Sequence, residues 1–270
     1  MASSIETTST TTTLKNNGNT YLSVDTNDDV TITNTLTATS PTFVTPNIGA
    51  ATVTSLNGGQ LAGRRNIVYN GEMKVAQRST STTGLGGTGT EFVLDRWALM
   101  ANTGGSATAG RVTMAQVADG PAGFANCLKL TTTTADTSIA AGEVLIITQR
   151  FEGQDLQQLQ KGTATAKQVT LSFYVKGNAN ATYTCELRDQ DNARNISQEF
   201  AVTSSWNRII LTFNNETSNA LDNDNASSMV LNIWLHAGSN FTSGTHAVNT
   251  WHTTNANRLS DSQSSFFSST

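Results

Sequence analysis

Val169-Thr170-Leu171-Ser172-Phe173-Tyr174-Val175-Lys176 alternates apolar and polar side chains without a break. Successive side chains of a strand point to opposite faces, so Val169, Leu171, Phe173 and Val175 face one way, and Thr170, Ser172, Tyr174 and Lys176 the other. The same period sets Ile209, Leu211 and Phe213 against Trp206, Arg208 and Thr212. Outward from these segments, short runs of β-formers recur between clusters of Gly, Asn, Asp and Ser. They predict strands near 72–77, 91–99, 110–117, 127–133, 143–151, 168–176, 181–189, 196–203, 206–213 and 228–237, with one helical turn at residues 154–159. Many short strands at this spacing make an all-β, antiparallel sandwich in which each strand has one buried and one wet face.

Composition supports the same class. Of 270 residues, 37% are hydrophobic and only 13% charged, and about one in six is threonine. Helix formers are too scarce for a bundle or coiled coil. A net charge of −4 offers no basic field to a phosphate backbone, and no stretch of about eighteen apolar residues could span a bilayer. Nucleic-acid binding and membrane insertion are therefore not expected. Met1-Ala2-Ser3-Ser4-Ile5-Glu6 has neither the basic start nor the apolar core of a secretory signal, so synthesis in a host cytoplasm is expected, with Cys127 and Cys185 as buried free thiols.

Residues 1–63 have a different texture from residues 64–270. Lys15 is their only basic residue, and Tyr21 and Phe43 their only aromatics. Short alternating runs at residues 20–25 and 29–33 read as strands. Beyond them, residues 35–49 space single apolar side chains among β-branched ones, with Pro41 and Pro46 excluding helix. Ordering a residue costs about 1–2 kcal/mol, which so few apolar groups cannot offset within one chain. The segment is therefore either disordered or shared between copies, and β-branched residues at strand period favour a shared β-stem, with Val30, Ile32 and Leu36 directed to a common axis.

Motifs that would carry catalysis are missing or out of context. Gly84-Leu85-Gly86-Gly87-Thr88-Gly89 has the spacing of a dinucleotide loop, but a β-like run follows where a helix is required, so a long hairpin loop is expected. His236, His246 and His252 lack zinc-site spacing. There is no GxSxG and no Cys/His signature, and a non-enzyme is expected. Residues 214–225 supply hard oxygen ligands, and Asp222 and Asp224 are weak calcium candidates beside the alternative of a solvated turn. Asn70-Gly71 reads as a turn, and Asp95-Arg96-Trp97 as a buried indole beside an Asp-Arg pair.

Arg65-Asn66-Ile67-Val68-Tyr69-Asn70-Gly71-Glu72-Met73-Lys74-Val75-Ala76-Gln77-Arg78-Ser79-Thr80-Ser81, with Asp95-Arg96-Trp97, Gln149-Arg150-Phe151-Glu152-Gly153 and Ser172-Phe173-Tyr174-Val175-Lys176, resembles the jelly-roll domain of bacteriophage tail fibres and other virion proteins. The likeness covers about residues 64–252. Residues 36–49 look like the trimeric β-stem that precedes such domains in fibres of marine and cyanobacterial phages. The resemblance implies an external virion fibre, a homotrimer joined to other tail or capsid proteins, whose carbohydrate-binding-module-like sandwich recognises host cell-surface carbohydrate. The alternatives are a capsid decoration fibre or tail adaptor without a ligand, and a glycan depolymerase. The pattern leads one to expect a closing strand after Trp251, whereas Ser262–Thr270 reads as a serine-rich tail.

Saccharides stack their C–H faces on Tyr or Trp rings while amides, carboxylates and guanidinium groups bind the hydroxyls. On the face opposite the apolar one, Tyr174, Glu186, Arg188, Arg208, Asn232, Trp234 and His236 offer that mixture as glycan-binding candidates, though the same residues suit a subunit contact.

The stem arithmetic yields a direct test. Sedimentation of the full chain is expected to show three copies together, and a folded monomer that keeps its strand signal in residues 20–56 would contradict a shared stem.

Overall fold

A computed structural model of the chain describes residues 3–7, 11–16, 19–25, 30–32, 66–136 and 138–268. Contacts divide it into two units, Met1–Gly63 and Arg64–Thr270. In the first, β1 (Ser3–Thr7), β2 (Thr11–Asn16), β3 (Asn19–Asp25) and β4 (Val30–Ile32) form an antiparallel meander in chain order. β3 and β4 fall where the alternation placed strands, while β1 and β2 lie in the threonine-rich start. Leu36 and the 35–49 run lie outside the described residues.

The second unit is an antiparallel β-sandwich. One layer is six-stranded, in the order β13 (Arg194–Val202), β12 (Ala181–Asp189), β15 (Ser227–Ala237), β10 (Glu143–Glu152), β7 (Ala98–Thr103), β6 (Gly89–Phe92). Facing it are a three-stranded sheet, β5 (Ser81–Leu85), β8 (Arg111–Val117) and β9 (Cys127–Thr134), and the two-stranded pair β11 (Val169–Val175) with β14 (Asn207–Phe213). One apolar cluster unites the layers: Leu145, Cys185, Leu187, Ile196, Phe200 and Leu231 from the first meet Val112, Met114, Leu211 and Phe213 from the second. Burying each such side chain contributes about 1.5–3 kcal/mol. Cys185 is buried, whereas Cys127 is only half-buried, a correction to the expectation of two buried thiols.

Three local expectations need correction. Residues 72–77 are not a strand: Asn70, at φ 49°, starts a turn closed by Met73 N donating to Asn70 O, and its amide side chain bonds both N and O of Val75. Residues 91–99 are not one strand either, because Arg96 at φ 70° breaks the run between β6 and β7. The Trp97 indole is buried and donates to Asn70 O, but Arg96 stacks 4.1 Å from the Tyr69 ring centroid while Asp95 accepts from Gln77 N. Finally, the glycine-rich segment is no hairpin loop. β5 pairs with β8 and β6 with β7, so residues 86–88 cross from one layer to the other, with Gly86 at φ 116° passing so close to Gly110 O that a Cβ would lie 2.6 Å from it.

A strap formed by residues 238–267 completes the unit. Its first part, with α1 (Ser239–Thr242) and a 3-10 turn at Asn255–Asn257, lies over the second face of the six-stranded layer, where Leu259 and Phe241 join Val144, Ile146 and Trp234 in a separate cluster. Its last part is not a loose tail. Ser264 N donates to Thr182 O, Phe266 N to Leu235 O, and Phe267 enters the main core over Gly110, where a Cβ would stand 2.3 Å from the ring. No strand follows Trp251 among the described residues.

The alternation makes neighbours in β11 behave oppositely. Phe173 packs on the core, edge-on to Phe200 at 5.1 Å, while Tyr174 is 42% exposed. Phe173→Ala is expected to cost about 3 kcal/mol in urea unfolding and Tyr174→Ala well under 1; equal losses would contradict the two-faced strand.

Candidate functional site

The strap divides the sequence-predicted site residues into two groups. Glu186, Asn232, Trp234 and His236 are buried at 0%, 4%, 1% and 1% exposure, not set on a wet face. The register brings three of them together: Glu186 opposes Asn232, and Thr184 opposes Trp234, across β12 and β15. Arg258 of the strap then closes on Glu186, its Nε and Nη2 donating to Oε1 and Oε2 at 2.7 Å each. Asn232 Nδ2 and Trp234 Nε1 donate to the same carboxylate at 2.9 and 3.0 Å. The guanidinium lies 4.6 Å from the Trp234 ring, so the indole face is covered by this chain's own cation. Burial alone raises the Glu186 pKa, but the guanidinium and these hydrogen bonds outweigh it and hold the carboxyl below its ordinary value.

His236 departs from Trp234 altogether. A bulge at Leu145/Ile146 pairs Trp234 with Ile146 of the strap-side cluster but His236 with Leu145 of the main core. One extra residue reverses the facing of every side chain beyond it. The ring is held by Ser265 Oγ at 2.8 Å and by the edge of Phe267. Arg188 is half-buried, and its Nη1 donates to Asn195 Oδ1 at 3.0 Å.

Tyr174 and Arg208 remain accessible. They oppose each other across β11 and β14, on the face that turns away from the core. Thr170, Ser172, Ile210 and Thr212 continue that face, with Thr170 and Thr212 hydroxyls 3.0 Å apart and Arg208 Nη2 donating to Ser172 Oγ at 3.3 Å. Phe124, 39% exposed and missed by strand reasoning because it lies in the loop before β9, stands 5.9 Å from Tyr174 at a tilt of 54°. At the same end Lys176 pairs with Asp119 at 2.7 Å and lies 5.0 Å from the Trp206 ring. The arrangement is an aromatic corner on a hydroxyl-lined sheet face, able to stack a ring and hydrogen-bond its substituents.

The 214–225 loop is organised around an ammonium group. Lys161 Nζ bonds Asp189 Oδ2 at 2.5 Å, Glu216 Oε2 at 2.7 Å and Asn219 O at 2.7 Å. Asp222 and Asp224 are exposed, and Asp224 Oδ1 accepts from Ala226 N. Among the described residues no three His, Cys, Asp or Glu side chains converge on one point.

No family model matches the chain, and no curated protein matches it. Among solved structures, one titled "CBM4 structure and function" aligns with 64% of this chain and 89% of its own at 14% identity and a TM-score of 0.30.

Removing one partner of a buried ion pair leaves a charge stranded. Glu186→Gln is therefore expected to cost about 3–5 kcal/mol in urea unfolding, and a loss under 1 would contradict the network. The pH dependence has the same sign. A carboxyl whose folded pKa is lowered contributes stability that is lost as pH falls through that value, and the three histidines, also lowered by burial, add a loss as pH falls below about 6.5. The unfolding free energy should be lower at pH 5.0 than at pH 7.5 through the histidines, and lower again at pH 3.5 through Glu186.

Proposed function

We propose that this protein is a non-catalytic fibre component of a virion, in three copies, whose jelly-roll head holds host-surface saccharide on the exposed face of β11 and β14. The observation that carries the binding site is the Tyr174–Arg208 cross-strand pair with Phe124 beside it, on a face otherwise lined by hydroxyl groups. An exposed aromatic pair next to a guanidinium and hydroxyls is the chemistry that holds a pyranose: C–H groups against the ring, polar groups to the sugar oxygens. The virion setting and the threefold stem rest on the sequence resemblance of residues 36–49 and 64–252.

A ligand-free decoration fibre or tail adaptor is the second reading, favoured by Ile210 at 59% exposure on the same face, since an apolar side chain there also suits contact between subunits.

Binding decides between the two. Soluble monovalent oligosaccharides titrated against the full chain avoid the avidity of three heads. Tyr174→Ala and Phe124→Ala are each expected to weaken binding about fivefold or more with unchanged unfolding free energy, because a stacking contact contributes to the complex and not to the fold. Loss of the trimer in Tyr174→Ala, with no saccharide bound by the unmodified chain, would replace saccharide binding with a subunit contact.

A further inference from the structure

The charge of the β11–β14 face is not self-compensated, and this bears on the class of saccharide, on the reading that the face binds one. Lys176 is neutralised by Asp119 and held over Trp206. Arg208 has no such partner: the ion pairs among the described residues involve other groups, and its hydrogen bond goes to the neutral Ser172 hydroxyl at 3.3 Å. The chain as a whole is acidic, with net charge −4, yet this face presents a guanidinium with no acidic partner directly opposite the exposed Tyr174.

We infer that the saccharide taken by this face is anionic, a carboxylate-bearing sugar of the hexuronate type, with its ring on Tyr174 and its carboxylate on Arg208. Side chains of directly opposed residues start about 4.5–5.5 Å apart, so a group borne by a sugar on Tyr174 is within reach of the long Arg208 side chain. The guanidinium fork binds a carboxylate through two parallel N–H donors, which a lysine cannot reproduce. Ser172, Thr170 and Thr212 continue the face with hydroxyls suited to the neighbouring sugar oxygens. A phosphate polymer is a poor match, because a single free cation supplies little of the dense positive charge such a backbone requires.

The test is calorimetric titration of the full chain with hexuronate oligosaccharides and with their carboxyl-reduced, neutral counterparts, at low and high salt. The acidic members should bind about five- to tenfold tighter, with the advantage shrinking at high salt. Arg208→Gln should remove that advantage, lowering the affinity for the acidic members more than that for the neutral ones, while Arg208→Lys retains part of it. Urea unfolding of each variant should match the unmodified chain, since Arg208 is exposed. Equal binding of acidic and neutral members, both lost in Tyr174→Ala, would overturn the anionic assignment and leave the saccharide site standing. An acidic preference that survives Arg208→Gln would overturn the role of Arg208. Absence of binding to either set in the unmodified chain would overturn the saccharide site together with this inference.

Discussion

The ion pair between Glu186 and Arg258 governs which face of the sandwich stays open to solvent. Glu186 stands mid-strand in β12, fully removed from water, where an unpaired carboxylate is not tolerated. It must be met by a cation, and the cation comes from residue 258, far along the chain on the strap. Once Arg258 is in place its guanidinium covers the Trp234 ring, Leu259 and Phe241 pack beside it, and the second face of the six-stranded layer is closed. A hydrophobic strap alone could slide over a sheet. The two parallel donors to one carboxylate fix its register.

Closure leaves the two layers with different roles. The central strands β10, β12 and β15 of the six-stranded layer are covered on both sides, and the Glu186 carboxylate there is spent on internal bonds. The β11–β14 pair has the core on one side only, and its outer side exposes Tyr174, Arg208 and Ile210. The loop end near Lys161 follows the same internal logic as Glu186, with an ammonium buried against Asp189 and Glu216 fixing the turn.

Strand positions were legible because period two is a local property: β8 to β15 fall close to the segments that alternation marks, and Phe173 and Tyr174 divide as expected. The covering of a strand's second face is not local. Thr184, Glu186, Asn232 and Trp234 alternate with apolar neighbours as a wet face would, and their burial comes from a segment with almost no regular structure. A signal did exist. Val144-Leu145-Ile146-Ile147 and Met229-Val230-Leu231 are near-continuous apolar runs, the mark of strands buried on both faces. The bulge that turns His236 toward the core has no comparable trace in sequence, because it depends on the register between β10 and β15. Phe124 escaped for another reason: a loop aromatic has no periodicity to betray its place.

Amide hydrogen exchange on the full chain, with and without a bound oligosaccharide, reads the closed and the open face together. With the strap fixed by Glu186 and Arg258, the amides of β12, β15 and residues 258–267 should exchange slowly and at the same rate in both states, while added protection appears only in β11, β14 and the loop around Phe124. Rapid exchange in residues 258–267, or ligand-induced protection centred on Glu186 and Trp234, would contradict the account, because the second face would then be the open one.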